Sequence, residues 1–237
     1  MSSSVRAGVI AIAALALAIG LSGCGSDSET EATDTAETST SENAAEATPS
    51  EAAPSTPGQP AAANYTIADY IRENSIVETP VKRGDPGSPA INVPVPPGWA
   101  DAGAQAPPWA YLAMAPTDPE MVGGGEPPSI IALVSKLTGN VDPAKILEFA
   151  PGELNNMPGY EGAQTGSPSK LGGFDAVQLG GTYTKDGVTR AIAQKTVVIP
   201  GQDGLFVLQL NADGREDQMP TLMDATTVID EETTITP

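Results

Sequence analysis

The chain has 237 residues, of which 11 are basic and 30 acidic, with no histidine and a single cysteine, and its formal net charge is −19. Phosphate backbones and anionic surfaces repel such a charge, so nucleic acid is excluded as a partner. Histidine-based triads and histidine–zinc centres are impossible, and we assign no catalytic residue, no metal ligands and no cofactor.

Arg6 is followed by the uncharged apolar run Ala7–Leu21. As a helix it would reach about 22 Å, short of the ~30 Å hydrocarbon core, so it reads as the h-region of a signal peptide and not as a stable span. Directly behind it stands Leu21-Ser22-Gly23-Cys24, an aliphatic residue, two small residues and a cysteine. This is the lipobox pattern. Small residues fit the peptidase, and the thiol receives a diacylglyceryl group by thioether chemistry. Residues 1–23 are therefore read as a lipoprotein signal peptide, and Cys24 as the lipid-bearing first residue of a mature chain at the outer face of the cell membrane, facing the periplasm. Residues 24–63 follow as Ser, Thr, Ala, Pro and Glu, with acids at Asp27, Glu29, Glu31, Asp34, Glu37, Glu42, Glu46 and Glu51 and no base or aromatic. Such a segment cannot bury enough apolar surface to offset chain entropy, so a disordered acidic tether is expected, with a reach on the order of 35 Å. Its Thr, Ser and Pro content also suits O-linked sugars.

Residues 64–237 carry every aromatic residue. Thr66 followed by Asp69 is a capping pattern, and Ile67, Tyr70 and Ile71 form a helical stripe. Ile76–Val81, Ile91–Val95, Trp109–Ala115 and Ser129–Leu137 read as strands bounded by Gly and Pro. Asp142-Pro143 begins a helix expected to end near Pro151-Gly152. Phe174–Thr184 and Val188–Ile199 flank Lys185-Asp186-Gly187, a tight-hairpin signal. After Gly201–Gly204 comes the strand Leu205–Leu210, apolar on both faces and so expected within a sheet covered on both sides. Met219, Leu222, Met223, Thr226 and Ile229 recur at helical spacing, with Pro220 tolerable only in the first turn. The order implies an α+β fold, an antiparallel sheet covered by helices on both faces.

Several stretches are recognisable: Thr66-Ile-Ala-Asp-Tyr-Ile71, Ile91-Asn-Val-Pro-Val-Pro-Pro-Gly-Trp99, Leu133 to Leu147, Gly173-Phe-Asp-Ala-Val-Gln-Leu-Gly-Gly181 and Gln209 to Gln218. Together they resemble the LpqN/LpqT family of actinobacterial lipoproteins, over essentially the whole of 64–237. The resemblance implies a fold like that of Mog1 and the photosystem protein PsbP. It also implies a non-enzymatic, periplasmic role beside the transporters that export trehalose mycolates, so that the expected partner is a mycolate glycolipid or its membrane exporter. The family pattern supplies no binding residues beyond Cys24.

Individual motifs are weighed on their chemistry. Ser167-Pro-Ser-Lys170 has the S-x-x-K spacing of penicillin-binding proteins, but it sits in a Gly-rich approach to a strand and lacks the downstream partners. The acidic runs Glu216-Asp217 and Asp230-Glu231-Glu232 lack EF-hand spacing and read as solvated surface. Trp99, after Pro96-Pro97-Gly98, is expected to plug the core. Trp109, Tyr111 and Phe206 lie on expected strands and are candidates for lining a lipid cavity between sheet and helix. The leading expectation is a lipid-anchored binding or adaptor protein of cell-envelope biogenesis that acts in trehalose mycolate export. The alternative is a surface-exposed, host-interacting or antigenic lipoprotein.

Overall fold

The computed structural model describes residues 64–123 and 126–237. The signal peptide, the lipobox residues Leu21 to Cys24 and the tether lie outside the described residues. Helix α1 (Ile67–Glu73) starts at the expected capping box: the Asp69 amide donates to Thr66 Oγ1 at 3.1 Å, and the Thr66 amide donates to the Asp69 carboxylate at 2.9 Å. Strands β1 (Val77–Pro80), β2 (Ala90–Asn92), β3 (Trp99–Asp101) and β4 (Leu112–Pro116) follow, then the short helix α2 (Pro119–Gly123) and β5 (Ser129–Thr138). Asp142 caps α3 (Pro143–Phe149) by accepting from the Ala144 amide. The expected end near Pro151-Gly152 is corrected: α3 stops at Phe149, and Pro151 opens a further helix, α4 (Pro151–Asn155), where a first-turn proline forfeits no hydrogen bond. Gly152 faces the incoming chain so closely that a Cβ there would stand 2.1 Å from the Tyr65 carbonyl oxygen.

Strands β6 (Glu161–Gly162), β7 (Ser167–Leu171), β8 (Phe174–Lys185), β9 (Val188–Gly201) and β10 (Gly204–Arg215) come next, then α5 (Met219–Glu232) and β11 (Thr234–Thr236). Among the described residues, nine strands form one antiparallel sheet along the path β3-β4-β5-β10-β9-β8-β6. Strand β1 shares β5 with β4, and β7 shares β8 with β6. Strands β2 and β11 pair separately through Ile91 opposite Ile235.

Strand β10 shows why both faces need cover. Leu205 and Val207 join the cluster built by α1 and α3 (Ile67, Tyr70, Ile146), whereas Phe206, Leu208, Leu210 and Ala212 join the cluster capped by Leu222, Ala225 and Ile229 of α5. Trp99 sits in that second cluster, buried as expected. Tyr70 ties the α1 layer to α3 by accepting from the Asp142 amide at 3.0 Å and packing its ring on Phe149.

Several strand boundaries differ from expectation; the run Ile91–Val95, for one, pairs only over Ala90–Asn92, ahead of Pro94 and Pro96. The run Trp109–Ala115 becomes strand only at Leu112, because Pro107-Pro108 lack amide hydrogens and a turn closes from the Ala110 amide to the Pro107 carbonyl at 2.9 Å. The strand at Leu205 runs on to Arg215, because its more polar second half still pairs residue for residue with Gln194 to Arg190 of β9, of which Ala191 and Ile192 are buried.

Leu208 is fully buried at the centre of the α5-side cluster. Leu208→Ala is expected to lower unfolding free energy by about 2–5 kcal/mol, measured by urea denaturation. Met223→Ala, on the exposed side of α5, should change it by less than about 0.5 kcal/mol.

Candidate functional site

The pairing registers place small residues in a line beneath α5. Gly180 of β8 lies opposite Ala193 of β9, and Ala193 lies opposite Ala212 of β10. With no side chain longer than a methyl group on three adjacent strands, the sheet surface drops away from the second half of α5. The result is a cavity of about 240 Å³ lined by Ile130, Leu210, Thr226 and Ile229 as well as the small residues. Ala193 is exposed on its floor although it lies on one of the central strands of the sheet.

The next rung of the sheet carries the polar rim. Gln178, Lys195 and Leu210 stand side by side on β8, β9 and β10, and the Lys195 ammonium meets the Asp230 carboxylate of α5 at 2.6 Å. Lys195 is 9% exposed and Asp230 40%, so the pair runs from the buried wall to the solvent edge. Asp230, with Glu231 and Glu232, is exposed as expected, and it also forms part of the cavity mouth. An apolar trench with one ion pair and one amide at its rim suits an aliphatic segment whose polar end stays outside. At about 240 Å³ it is smaller than the ~300–1,000 Å³ typical of sites that enclose a whole ligand, so it has room for part of a lipid chain.

The opposite face of the same strands is polar where the α5 face is apolar. Glu153 of α4 accepts from Gln194 Nε2 at 3.1 Å and Gln209 Nε2 at 2.9 Å, and Gln194 Nε2 also donates to Asn211 Oδ1 at 3.0 Å. Burial raises the Glu153 carboxyl above its ordinary range, an effect the two amide hydrogen bonds oppose without cancelling, and Glu78 adds a smaller upward push. Further along, Arg190 pairs with Asp213 and with Glu126, and Tyr183 donates to Asp213 at 2.7 Å. Burial first, and then this bond, push the Tyr183 phenol up. A second, more polar cavity of about 380 Å³ opens between Tyr65, Glu148, Asn155 and Gln164 where the described chain begins.

The residues singled out from sequence fall elsewhere. Trp109 is not on a strand but in the turn before β4, 45% exposed. Tyr111 is buried just before β4 with the Arg83 guanidinium 5.9 Å from its ring, and Phe206 is buried on β10 with Lys136 5.8 Å from its ring. None of the three lines the trench. Ser167 and Lys170 stand three residues apart on β7 and so on opposite faces of the strand, and Lys170 pairs with Asp175 at 2.7 Å. The serine has no base there. Asp217 is held below the usual carboxylate range by its hydrogen bond from Arg215. Among the described residues no group of three or more His, Cys, Asp or Glu is placed to hold a metal ion.

The Glu153 shift has a testable consequence. A carboxyl whose pKa is higher in the folded than in the unfolded chain stabilises the fold below the unfolded value, and that contribution is lost as pH rises through the folded value. The wild-type melting temperature should therefore fall on going from weakly acid to neutral pH by more than that of Glu153→Gln. Differential scanning calorimetry across that range checks it, and parallel curves would show that Glu153 is not responsible.

Three comparisons bear on what this arrangement belongs to. The family model described as probable lipoprotein LpqN matches residues 63–236. Lipoprotein LpqN of Mycobacterium tuberculosis is 58% identical over 229 residues, covering 96% of this chain and 97% of that protein. The crystal structure of LpqN involved in cell envelope biogenesis of Mycobacterium tuberculosis matches with a TM-score of 0.68 at 57% identity, covering 73% of this chain and 99% of that one. With the antiparallel sheet, its two helical covers and the match all in hand, the chain belongs to the LpqN family of lipoproteins.

Proposed function

We propose that this protein serves cell-envelope biogenesis as a membrane-anchored, non-enzymatic binding or adaptor protein on the periplasmic side, in the export of trehalose mycolates. The observation that carries the reading is the identity of 58% across 96% of the chain to a lipoprotein whose solved structure is described as involved in cell envelope biogenesis. The trench under α5 supports it chemically. Its floor is apolar, its mouth holds Lys195, Asp230 and Gln178, and the Thr226 hydroxyl is already engaged with the Met223 carbonyl at 3.1 Å. The partner is then a glycolipid that leaves part of its chain in the trench and its sugar at the rim, or the exporter that receives it. A surface-exposed, host-interacting lipoprotein is the other role the family membership permits, and protease shaving of intact cells separates the two.

Native mass spectrometry with trehalose monomycolate tests the binding role. Wild-type protein should carry one lipid, and Ala193→Trp, which plants an indole on the exposed floor, should carry none while keeping its circular dichroism spectrum. Absence of lipid on the wild type, together with no exporter recovered by cross-linking in cells, would sink both forms of the proposal.

The anchor is tested at Cys24. Cys24→Ala leaves no thiol to receive the acyl groups, so the variant should lose label from a fatty-acid analogue and either keep its uncut h-region as a weak, short anchor or be clipped elsewhere and shed to the aqueous phase, as labelling and detergent partition will show. If the wild type itself carries no label, the chain is not anchored through Cys24.

A further inference from the structure

We propose that the loop Ala102–Ala110 is an interfacial docking element that seats Trp109 among the lipid headgroups of the bilayer to which the chain is tethered. The inference rests on the reading of Cys24 as the point of attachment. In a chain with 30 acidic side chains, this loop reads Ala-Gly-Ala-Gln-Ala-Pro-Pro-Trp-Ala, nine residues with no charge. Gly103, Ala104, Gln105, Pro108 and Trp109 are exposed. Of the two tryptophans in the chain, Trp99 is 7% exposed and Trp109 is 45% exposed. Indole combines apolar area with one donor, the chemistry that favours the boundary between water and acyl chains.

The loop's backbone is prepared for that boundary. Hydrogen bonds occupy the carbonyls of Ala102, Gly103 and Pro107, through the amides of Gln105, Ala106 and Ala110. Lys82 Nζ reaches the carbonyls of Pro108 and Ala110. With five of its nine carbonyls already paired, the loop gives up less than an open one when water is thinned around it. Around its base, Lys82 and Arg83 are matched by Asp85, which accepts from the Lys82 amide, and by Asp101, which pairs with Arg83 at 3.1 Å. The tip therefore approaches a surface without the repulsion that the acidic remainder would meet. A specific protein partner would be recognised through polar groups around an apolar anchor; within the loop only Gln105 and the Trp109 indole N–H are polar, and at its base Arg83 is engaged by Asp101 and the Lys82 ammonium by carbonyls, which suits a surface defined by polarity alone. One indole is too weak an attachment to recruit protein from solution. On the reading of 24–63 as a flexible tether the balance changes, because a chain of that length would hold the domain at an r.m.s. distance of roughly 35 Å from the membrane.

The single cysteine permits a test that does not depend on lipidation in the cell. The chain from Cys24 onward is coupled through that thiol to phosphatidylcholine vesicles carrying a maleimide lipid, with part of the phosphatidylcholine brominated on its acyl chains. Wild-type protein should lose the share of tryptophan emission that Trp109 contributes and shift its remaining emission to the blue. Trp109→Phe, a change on an exposed ring, should show neither effect, with Trp99 reporting that the fold is intact. Equal emission from wild type on brominated and ordinary vesicles, with the protein co-floating, overturns the proposal, and leaves Trp109 as a ring that faces water or another protein. Failure of Cys24 to be lipidated in cells would appear in the labelling experiment and not in this one.

Discussion

The trench under α5 and the two faces of the central strands follow from the register of β8 against β9, and that register is set by two residues. Asp186 and Gly187 adopt φ of 51° and 76°, the left-handed pair that a two-residue hairpin turn requires and that matches the twist of its strands. With Lys185 opposite Val188, the ladder runs back through Gly180 opposite Ala193 to Ala176 opposite Val197. Shifting it by one residue would turn Val177 and Leu179 toward α5 and send Ala176 and Gly180 to the other side. The line of small residues that opens the trench would then not exist.

The two faces of the central strands solve different problems. Toward α5 the trench floor is apolar, with Gln178 and Lys195 at its rim and the Lys195 charge met at the edge by Asp230. Toward α4, Gln194, Gln209, Asn211 and Glu153 form a connected group that divides the cluster under α1 and α3 from a smaller one of Leu154, Leu179, Tyr183 and Ile192. Burying a carboxylate without a cation costs free energy, and amide donors offset only part of it, which is why the Glu153 carboxyl is raised despite two hydrogen bonds. In exchange the polar group fixes α4 over β9 and β10. An apolar contact of the same size would tolerate sliding, whereas a carboxylate shared between two glutamine amides has one position.

Much of this architecture is legible in the sequence because local chemistry and global position agree. Thr66 with Asp69, Asp142 with Pro143, and Asp186 with Gly187 each carry their own geometry, and the doubly apolar Leu205–Leu210 announces cover on both faces. The misses have a common cause. Asn211 to Arg215 lie beyond the expected strand Leu205–Leu210, yet they are strand because they pair in register with Gln194 to Arg190 of β9, a fact no single segment contains. Trp109 and Tyr111 stand out as large apolar residues in an expected strand, while the cavity is made where side chains are small. Its signal is nonetheless present in the chain: counting back from the Asp186-Gly187 turn pairs Gly180 with Ala193 by arithmetic alone. The lipobox, Leu21 to Cys24, and the tether lie outside the described residues, so their reading rests on composition and spacing.

The dimensions of the trench constrain how the proposed role would work. A carrier that ferries a long-chain glycolipid through water must hide nearly all of its apolar area, since each exposed methylene costs about 0.8 kcal/mol. A cavity of about 240 Å³ hides only a segment. A protein with such a site does not need to carry the lipid far if the rest of the chain remains covered by something else, either the bilayer or the protein that delivers it. A tethered domain confined near a membrane is in that position, and partial engagement also keeps release fast, because affinity gained from a short apolar segment is modest. The ion pair of Lys195 and Asp230 is placed where the polar part of such a ligand would emerge, at the end of α5, so on the proposed reading the residues that would distinguish one headgroup from another are those at the rim and not those on the floor.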